Sequence, residues 1–184
     1  MYKKQTSYCT NRYSKYKKGV FTINITIRNA SLKYLDKITE VEALCFPKEE
    51  AATRDALKKR IETFSECFFV AEVNNEIVGF INGCITNEST IYDELYSNSK
   101  LHIPNGDYQA IFGLDVIPAY RRQGIAEKLI NHIIEISKLS GKKGVILTCK
   151  PNLIRYYEKF EFINEGISKS VHGGTLWHDM ILSI

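Results

Sequence analysis

No run of the 184 residues is apolar for the ~20 consecutive positions that a membrane-crossing helix requires, and the first twenty lack the unbroken apolar stretch of a signal peptide. A cytoplasmic protein with no membrane partner is expected. The five cysteines (Cys9, Cys45, Cys67, Cys84, Cys149) form no C-x-x-C pair and no Cys/His cluster at metal-ligand spacing. No metal is expected, and the scattered set suits reduced thiols, several packed as small apolar groups. A large charge excess is also missing. The net charge is only +4, with a local basic excess at Lys3, Lys4, Arg12, Lys15, Lys17 and Lys18. The remainder is nearly balanced, so nothing demands nucleic acid as a partner. Neither G-x-x-x-x-G-K-[ST] nor G-x-G-x-x-G occurs. Gly141-Lys-Lys-Gly144 lies between a helix end and a strand start, the wrong end for phosphate, and reads as a plain turn.

What remains is globular in kind: 44% apolar and 25% charged residues, enough for one sizeable core. Residues 1–20 read as a flexible basic tail and 21–184 as one domain. Thr22–Arg28 alternates like a half-buried strand. Ser31 is expected to cap a helix through Leu44, with Leu32, Leu35, Ile38, Val41 and Leu44 on one stripe. A second helix is expected over Lys48–Thr63. Cys67–Val73 and Glu76–Thr86 read as strands joined at Asn74-Asn75. Residues 87–107 form a long polar connection, with a short helical piece near Tyr92–Tyr96; such connections are often lids or binding loops. Tyr108–Val116 is a strongly apolar strand. Gly124–Ser140 is the best helix in the chain, and Gly141 stops it. A short strand (Gly144–Thr148), a helix (Asn152–Phe160) and two strands near Phe162–Ser168 and Thr175–Leu182 complete an α/β domain with a mixed sheet and no repeat.

The chemically informative unit is Leu114-Asp-Val-Ile-Pro-Ala-Tyr-Arg-Arg-Gln-Gly-Ile-Ala126. An apolar strand ends, a short turn follows, and a glycine opens a long helix. The first turn of a helix exposes unpaired N–H groups and the positive end of its dipole. Gly124 permits close approach, and Arg121 and Arg122 add charge, so the unit forms an anion site suited to a pyrophosphate.

Arg121-Arg-Gln-Gly-Ile-Ala126 resembles the coenzyme A pyrophosphate loop of the GNAT (Gcn5-related) N-acetyltransferase superfamily, Arg/Gln-x-x-Gly-x-Gly/Ala. Asn152-Leu-Ile-Arg-Tyr-Tyr157-Glu-Lys-Phe-Glu-Phe162 resembles its second signature, with Glu161 where glycine is usual. The likeness runs from about Phe21 to Ile184. Tyr120-Arg-Arg-Gln-Gly, the Tyr156-Tyr-Glu-Lys-Phe run, His172-Gly-Gly174 and Trp177-His-Asp-Met180 look most like the arylalkylamine N-acetyltransferase branch and its bacterial relatives. The catalytic histidine pair of the animal enzymes falls on Ala110 and Phe112 here.

The resemblance implies a mostly antiparallel sheet flanked by helices and splayed between its fourth and fifth strands. It also implies an acetyl group moved from acetyl-CoA to a primary amine, most readily that of a small molecule, by direct attack in a ternary complex. Acetyl-CoA would be bound by Leu114, Asp115 and Val116, by the loop Arg121, Arg122, Gln123, Gly124, Ile125 and Ala126, and by Asn152, which could equally be a helix N-cap. Tyr157 would protonate the departing thiolate. Phe112, His172 and Trp177 could line the acceptor pocket. No residue stands out as the base: Asp107, His102 and His172 lie in loops and read as solvated, while His132 faces out from the long helix. Cys149 lacks an adjacent activator and reads as a buried or pocket-lining thiol. The alternatives are a macromolecular amine (protein or aminoacyl-tRNA) and a non-catalytic acyl-CoA-binding module. A homodimer is compatible with all of these.

Overall fold

The computed structural model describes residues 24–184. The expected basic tail, with Cys9, and the first residues of the expected first strand lie outside them. Among the described residues seven strands form one sheet in the order β1-β2-β3-β4-β5-β7-β6. They are β1 (Ile25–Asn29), β2 (Phe68–Val73), β3 (Glu76–Thr86), β4 (Tyr108–Val116), β5 (Gly144–Cys149), β6 (Ile163–Ile167) and β7 (His178–Ser183). Five α-helices among the described residues accompany them: α1 (Leu35–Cys45), α2 (Arg54–Phe64), α3 (Glu94–Ser97), α4 (Ile125–Leu139) and α5 (Ile154–Glu158). Among the described residues no helix is long and apolar enough to cross a membrane.

The β2–β3 hairpin turns at Asn74 (φ 52°) and Asn75 (φ 66°), both left-handed, as a two-residue turn matched to strand twist requires. β2 is buried on both faces except at Glu72, and β3 throughout except at Glu76. That is why these strands read as near-continuous apolar runs rather than alternating ones. Leu129, Ile130 and Ile133 of α4 are fully buried against this sheet, each worth about 1.5–3 kcal/mol of transfer free energy. The helix closes on a Schellman motif: Lys142 N–H bonds Ser137 O, Gly141 N–H bonds Lys138 O, and Gly141 sits at φ 65°.

All strand pairs are antiparallel except β4–β5. That parallel pair spans only Tyr108–Ile111 against Gly144–Leu147. Beyond it β4 continues paired with β3 to Val116, while β5 continues paired with β7 to Cys149. The sheet therefore splits between its fourth and fifth strands, and among the described residues one edge of Phe112–Val116 has no neighbouring strand. A bulge at Phe112, where Asn82 faces Gly113 and Gly83 faces Ile111, bends β4 at the start of the split. Gly83 allows this register: a Cβ there would lie 1.7 Å from the Ala110 carbonyl oxygen.

Some boundaries differ from expectation, each for a local reason. The second helix begins at Arg54, not Lys48, because Thr53 caps it by accepting the Ala56 N–H at 3.2 Å. Helix-favouring Lys48–Ala52 instead forms a turn in which the Glu50 and Ala51 N–H groups bond Pro47 O. Leu32 and Leu44, assigned to the buried stripe, are exposed, and Glu42 is buried in its place. His132 is half-buried rather than fully outward: its ring meets Phe69 edge-on at 4.5 Å, and burial lowers its pKa.

Candidate active site

The split in the sheet holds a cavity of about 1040 Å³. One end is walled by the loop before α4. There Arg122 (φ 59°) and Gly124 (φ 80°) turn the chain through left-handed conformations, and Arg121 Nε donates to Val116 O at 2.9 Å, tying loop to strand. Nothing lies within 4 Å of where a Cβ of Gly124 would stand. The first turn of α4, Gly124–Glu127, lines the cavity, and the helix dipole favours an anion there.

Of the residues singled out for the cosubstrate, Leu114, Val116, Arg121, Arg122, Gly124, Ile125 and Ala126 line the cavity. Three do not. Gln123 is exposed and folds back to donate to Ala119 O at 3.1 Å. Asn152 is exposed in a 3-10 turn, between Lys150 and Leu153, which both line the cavity. It caps no helix: Lys150 and Leu153 hold the capping positions. Asp115 is fully buried, both carboxylate oxygens lack partners, and desolvation beside Glu42 holds its pKa well above the ordinary range.

Tyr157 is 8% exposed and lines the cavity. Desolvation, reinforced by Cys149, Tyr156 and Asp115, pushes its phenol above the usual value. A second Schellman motif holds it: Phe162 N–H reaches Tyr157 O at 3.4 Å, Glu161 N–H bonds Glu158 O at 3.0 Å, and the rings of Tyr157 and Phe162 pack at 5.9 Å. Glu161, in the position glycine favours, sits at φ 68°. Cys149 also lines the cavity, its thiol pushed up to about 11 by burial, which opposes thiolate formation.

The opposite wall is aromatic and charged. Phe112, Tyr96, His172 and Trp177 form a continuous set: Tyr96 is 5.1 Å from Phe112, His172 stacks on Tyr96 at 4.9 Å, and Trp177 is 6.4 Å from His172. Tyr96 comes from the polar connection 87–107, which is pinned in place. Its hydroxyl bonds Thr148 Oγ1 at 2.8 Å, and Asp93 accepts from Ser170 Oγ at 2.5 Å. Burial raises the Tyr96 phenol to about 12. Glu42, Glu50, Arg60 and Lys150 also line this side. Glu42, Arg60 and Tyr96 were not singled out in the sequence. The only signal was a glutamate and an arginine on the apolar faces of their helices, among Leu35, Ile38 and Val41 in one and Leu57, Ile61 and Phe64 in the other.

Of the other histidines considered as bases, His102 is not solvated. Its Nδ1 accepts the Ile85 N–H at 3.1 Å, its ring packs 5.1 Å from Phe64, and it lies outside the cavity lining. Asp107 is bonded to Lys143 at 2.8 Å and lies outside it as well. Glu66, Cys67 and His102 bring possible ligand atoms within 4.8 Å of one another. The Ile85 N–H, however, keeps the His102 proton on Nε2, the nitrogen near Glu66, and burial raises the Cys67 thiol strongly. Both features oppose a cation there.

A sheet split at its parallel pair, with a glycine-opened helix at one lip, is the framework of an acyltransferase family. The chain belongs to the acetyltransferase (GNAT) family, whose sequence model matches residues 35–162. It is 27% identical over 147 residues to a probable hydrolase, YhcX, of Bacillus subtilis, covering 76% of this chain and 29% of that protein. It is 27% identical over 124 residues to the uncharacterized N-acetyltransferase YkwB of the same organism, covering 61% and 55%. The chain thus spans well under two thirds of the length of either relative. Among solved structures, the GNAT-like decarboxylase GphF in complex with isobutyryl-CoA shares the fold at a TM-score of 0.72 and 20% identity, over 86% of this chain and 98% of that one.

Proposed function

We propose that the protein transfers the acetyl group of acetyl-CoA to a primary amine of a small molecule, in a ternary complex. The observation that carries this reading is the cavity through the split sheet, which joins the α4 N-terminus, the unpaired edge of Phe112–Val116 and Tyr157. Pockets for one small ligand measure ~300–1,000 Å³. A cavity of about 1040 Å³ suits a cosubstrate arm and an acceptor together.

In this reading the pyrophosphate lies against the N–H groups of Gly124–Ala126, with Arg121 and Arg122 beside it. The pantetheine arm follows the free edge of β4, as an added strand would, past the turn that carries Asn152, whose neighbours Lys150 and Leu153 line the cavity. A backbone N–H of Leu114–Val116 receives the thioester oxygen as it becomes an oxyanion. The amine nitrogen bonds to the acetyl carbon and loses a proton, the C–S bond breaks, and Tyr157 gives its proton to the sulfur. Burial raises the phenol's proton affinity, so it is protonated when the thiolate forms; the same desolvation raises the proton affinity of that thiolate. The phenolate then regains a proton from the one the amine released. Cys149, with its raised thiol, takes no covalent part.

The small-molecule acceptor, the likeness to the arylalkylamine branch, a cytoplasmic location and a homodimer belong to the same proposal. Exposed Ile163 and Ile167 on edge strand β6 offer a surface for the dimer, which light scattering tests. The activity is tested by thiol release from acetyl-CoA with arylalkylamines, polyamines, aminoglycosides and short peptides, for wild type and Tyr157→Phe. Amine-dependent release on small amines that falls ~10²–10⁴-fold in the variant is expected. Release only with peptides would move the acceptor to the macromolecular class, and equal rates in the two proteins would remove Tyr157 from the mechanism.

A further inference from the structure

Two buried ionisable groups line the aromatic side of the cavity and do not pair among the described residues. Arg60 of α2 is 7% exposed and Glu42 of α1 is 4% exposed, and both line the cavity. Each feels the charge of the other, yet no ion pair joins them among the described residues. Buried opposite charges are stable when they close on each other or on other partners, because each has given up its hydration.

Both are held short of that. Arg60 donates from Nη1 to Asn82 Oδ1 and from Nη2 to Tyr96 O, each at 2.9 Å, and its guanidinium lies 4.9 Å over the Phe112 ring. A guanidinium has five N–H donors, so capacity remains. Glu42 accepts the Ala52 N–H through Oε1 at 2.6 Å, while its Oε2 is sealed from water without a partner. Neighbouring Asp115 does not neutralise Arg60, because its own burial and the charge of Glu42 oppose its ionisation. His172 is the other titratable group facing Glu42, and its Nε2 is engaged 3.0 Å from Glu50 O. Burial also raises the Glu42 carboxyl above its ordinary range, so among the described residues Arg60 is a buried cation that lines the cavity with donor capacity to spare and no carboxylate closed on it.

We propose that the acceptor amine carries its own carboxylate, as a free amino acid does, with that carboxylate on Arg60. This rests on the acetyltransferase reading and names its acceptor. A guanidinium fork matches a carboxylate, which supplies the counter-charge that the buried Arg60 lacks. Tyr96, Phe112, His172 and Trp177 then surround the side chain, which favours an apolar or aromatic amino acid.

The test pairs each amino acid with its decarboxylated amine: L-phenylalanine with 2-phenylethylamine, L-leucine with 3-methylbutylamine, L-alanine with ethylamine. Thiol release from acetyl-CoA is measured for each. An amino acid should exceed its amine in kcat/KM by about 10- to 100-fold, the effect of a charge-assisted hydrogen-bonded contact. In Arg60→Gln that ratio should collapse through KM. Because a buried substitution can unfold the protein, a second measurement uses wild type alone: with CoA at saturation, the amino acid should raise Tm and its amine should not. Equal or better turnover of the bare amines, or equal protection by both, overturns the proposal and leaves the acetyltransferase reading intact. Thiol release from no amine of any kind fails that reading instead, and the protection experiment still decides whether the pocket binds the zwitterion.

Discussion

Replacing Glu161 with glycine should stabilise the protein. Glu161 is exposed, has φ 68°, and occupies the left-handed position of the Schellman motif that ends α5. An L-residue in that conformation costs roughly 1–2 kcal/mol, because Cβ crowds the following carbonyl oxygen. Glycine removes the clash but gives up about 0.5–1 kcal/mol through the greater freedom of its unfolded chain. No hydrogen bond or ion pair of the Glu161 side chain is present among the described residues to offset the gain. The net expectation is about 0.5–1 kcal/mol in favour of Glu161→Gly. For a domain of this size that is a rise in Tm of about 1–4 °C, with the urea m-value unchanged. Calorimetry and urea unfolding measure both. A fall in Tm would refute the argument: it would mean that the glutamate side chain contributes more than its backbone conformation costs, or that the turn is not left-handed.

Asp115→Asn should stabilise the protein increasingly as pH rises. The folded state holds this carboxyl above its unfolded pKa of ~3.9, so the native state binds the extra proton, and stability falls as pH climbs from that value through the folded pKa. The neighbours that set the shift are Glu42, Cys45, Arg121 and Arg60; the asparagine has no proton to lose. A variant-minus-wild-type difference in unfolding free energy that stays flat between pH 4 and pH 8 would contradict this. Gly83→Ala should lower stability by more than about 3 kcal/mol, since its Cβ would fall 1.7 Å from a backbone oxygen in the middle of two paired strands. Urea unfolding, or loss of soluble protein, reports it, and a near-neutral result would show that the bulge is not where the register puts it.

Where local chemistry was decisive, the sequence was readable. Glu76–Thr86 and Tyr108–Val116 match their strands residue for residue, because Asn74-Asn75 and Pro104–Gly106 punctuate unbroken apolar runs. Gly124 and Gly141 bracket α4 for the same reason, each needed at positive φ. The start of α2 was not readable. Lys48–Ala52 has helical propensity, but Ala52 gives its N–H to buried Glu42, a tertiary contact that propensity does not contain. Arg121, Arg122 and Gly124 could be picked out because a helix start and its flanking charges are local in the chain. Glu42, Arg60 and Tyr96 could not, because they meet only when α1, α2 and the 87–107 connection fold over the split sheet. His102 misled as a loop histidine because its partners, Ile85 N–H and Phe64, are distant in sequence.

The central claim is that the cavity between β4 and β5 takes acetyl-CoA, with its pyrophosphate at the start of α4. Isothermal titration of acetyl-CoA into wild type, and into Arg122→Glu, tests it most directly, because Arg122 is exposed and lines the cavity. The account predicts one site per chain in wild type, weakened at least about tenfold by the reversed charge and eased by higher salt. Absence of binding in wild type, or equal binding by both proteins, would contradict it.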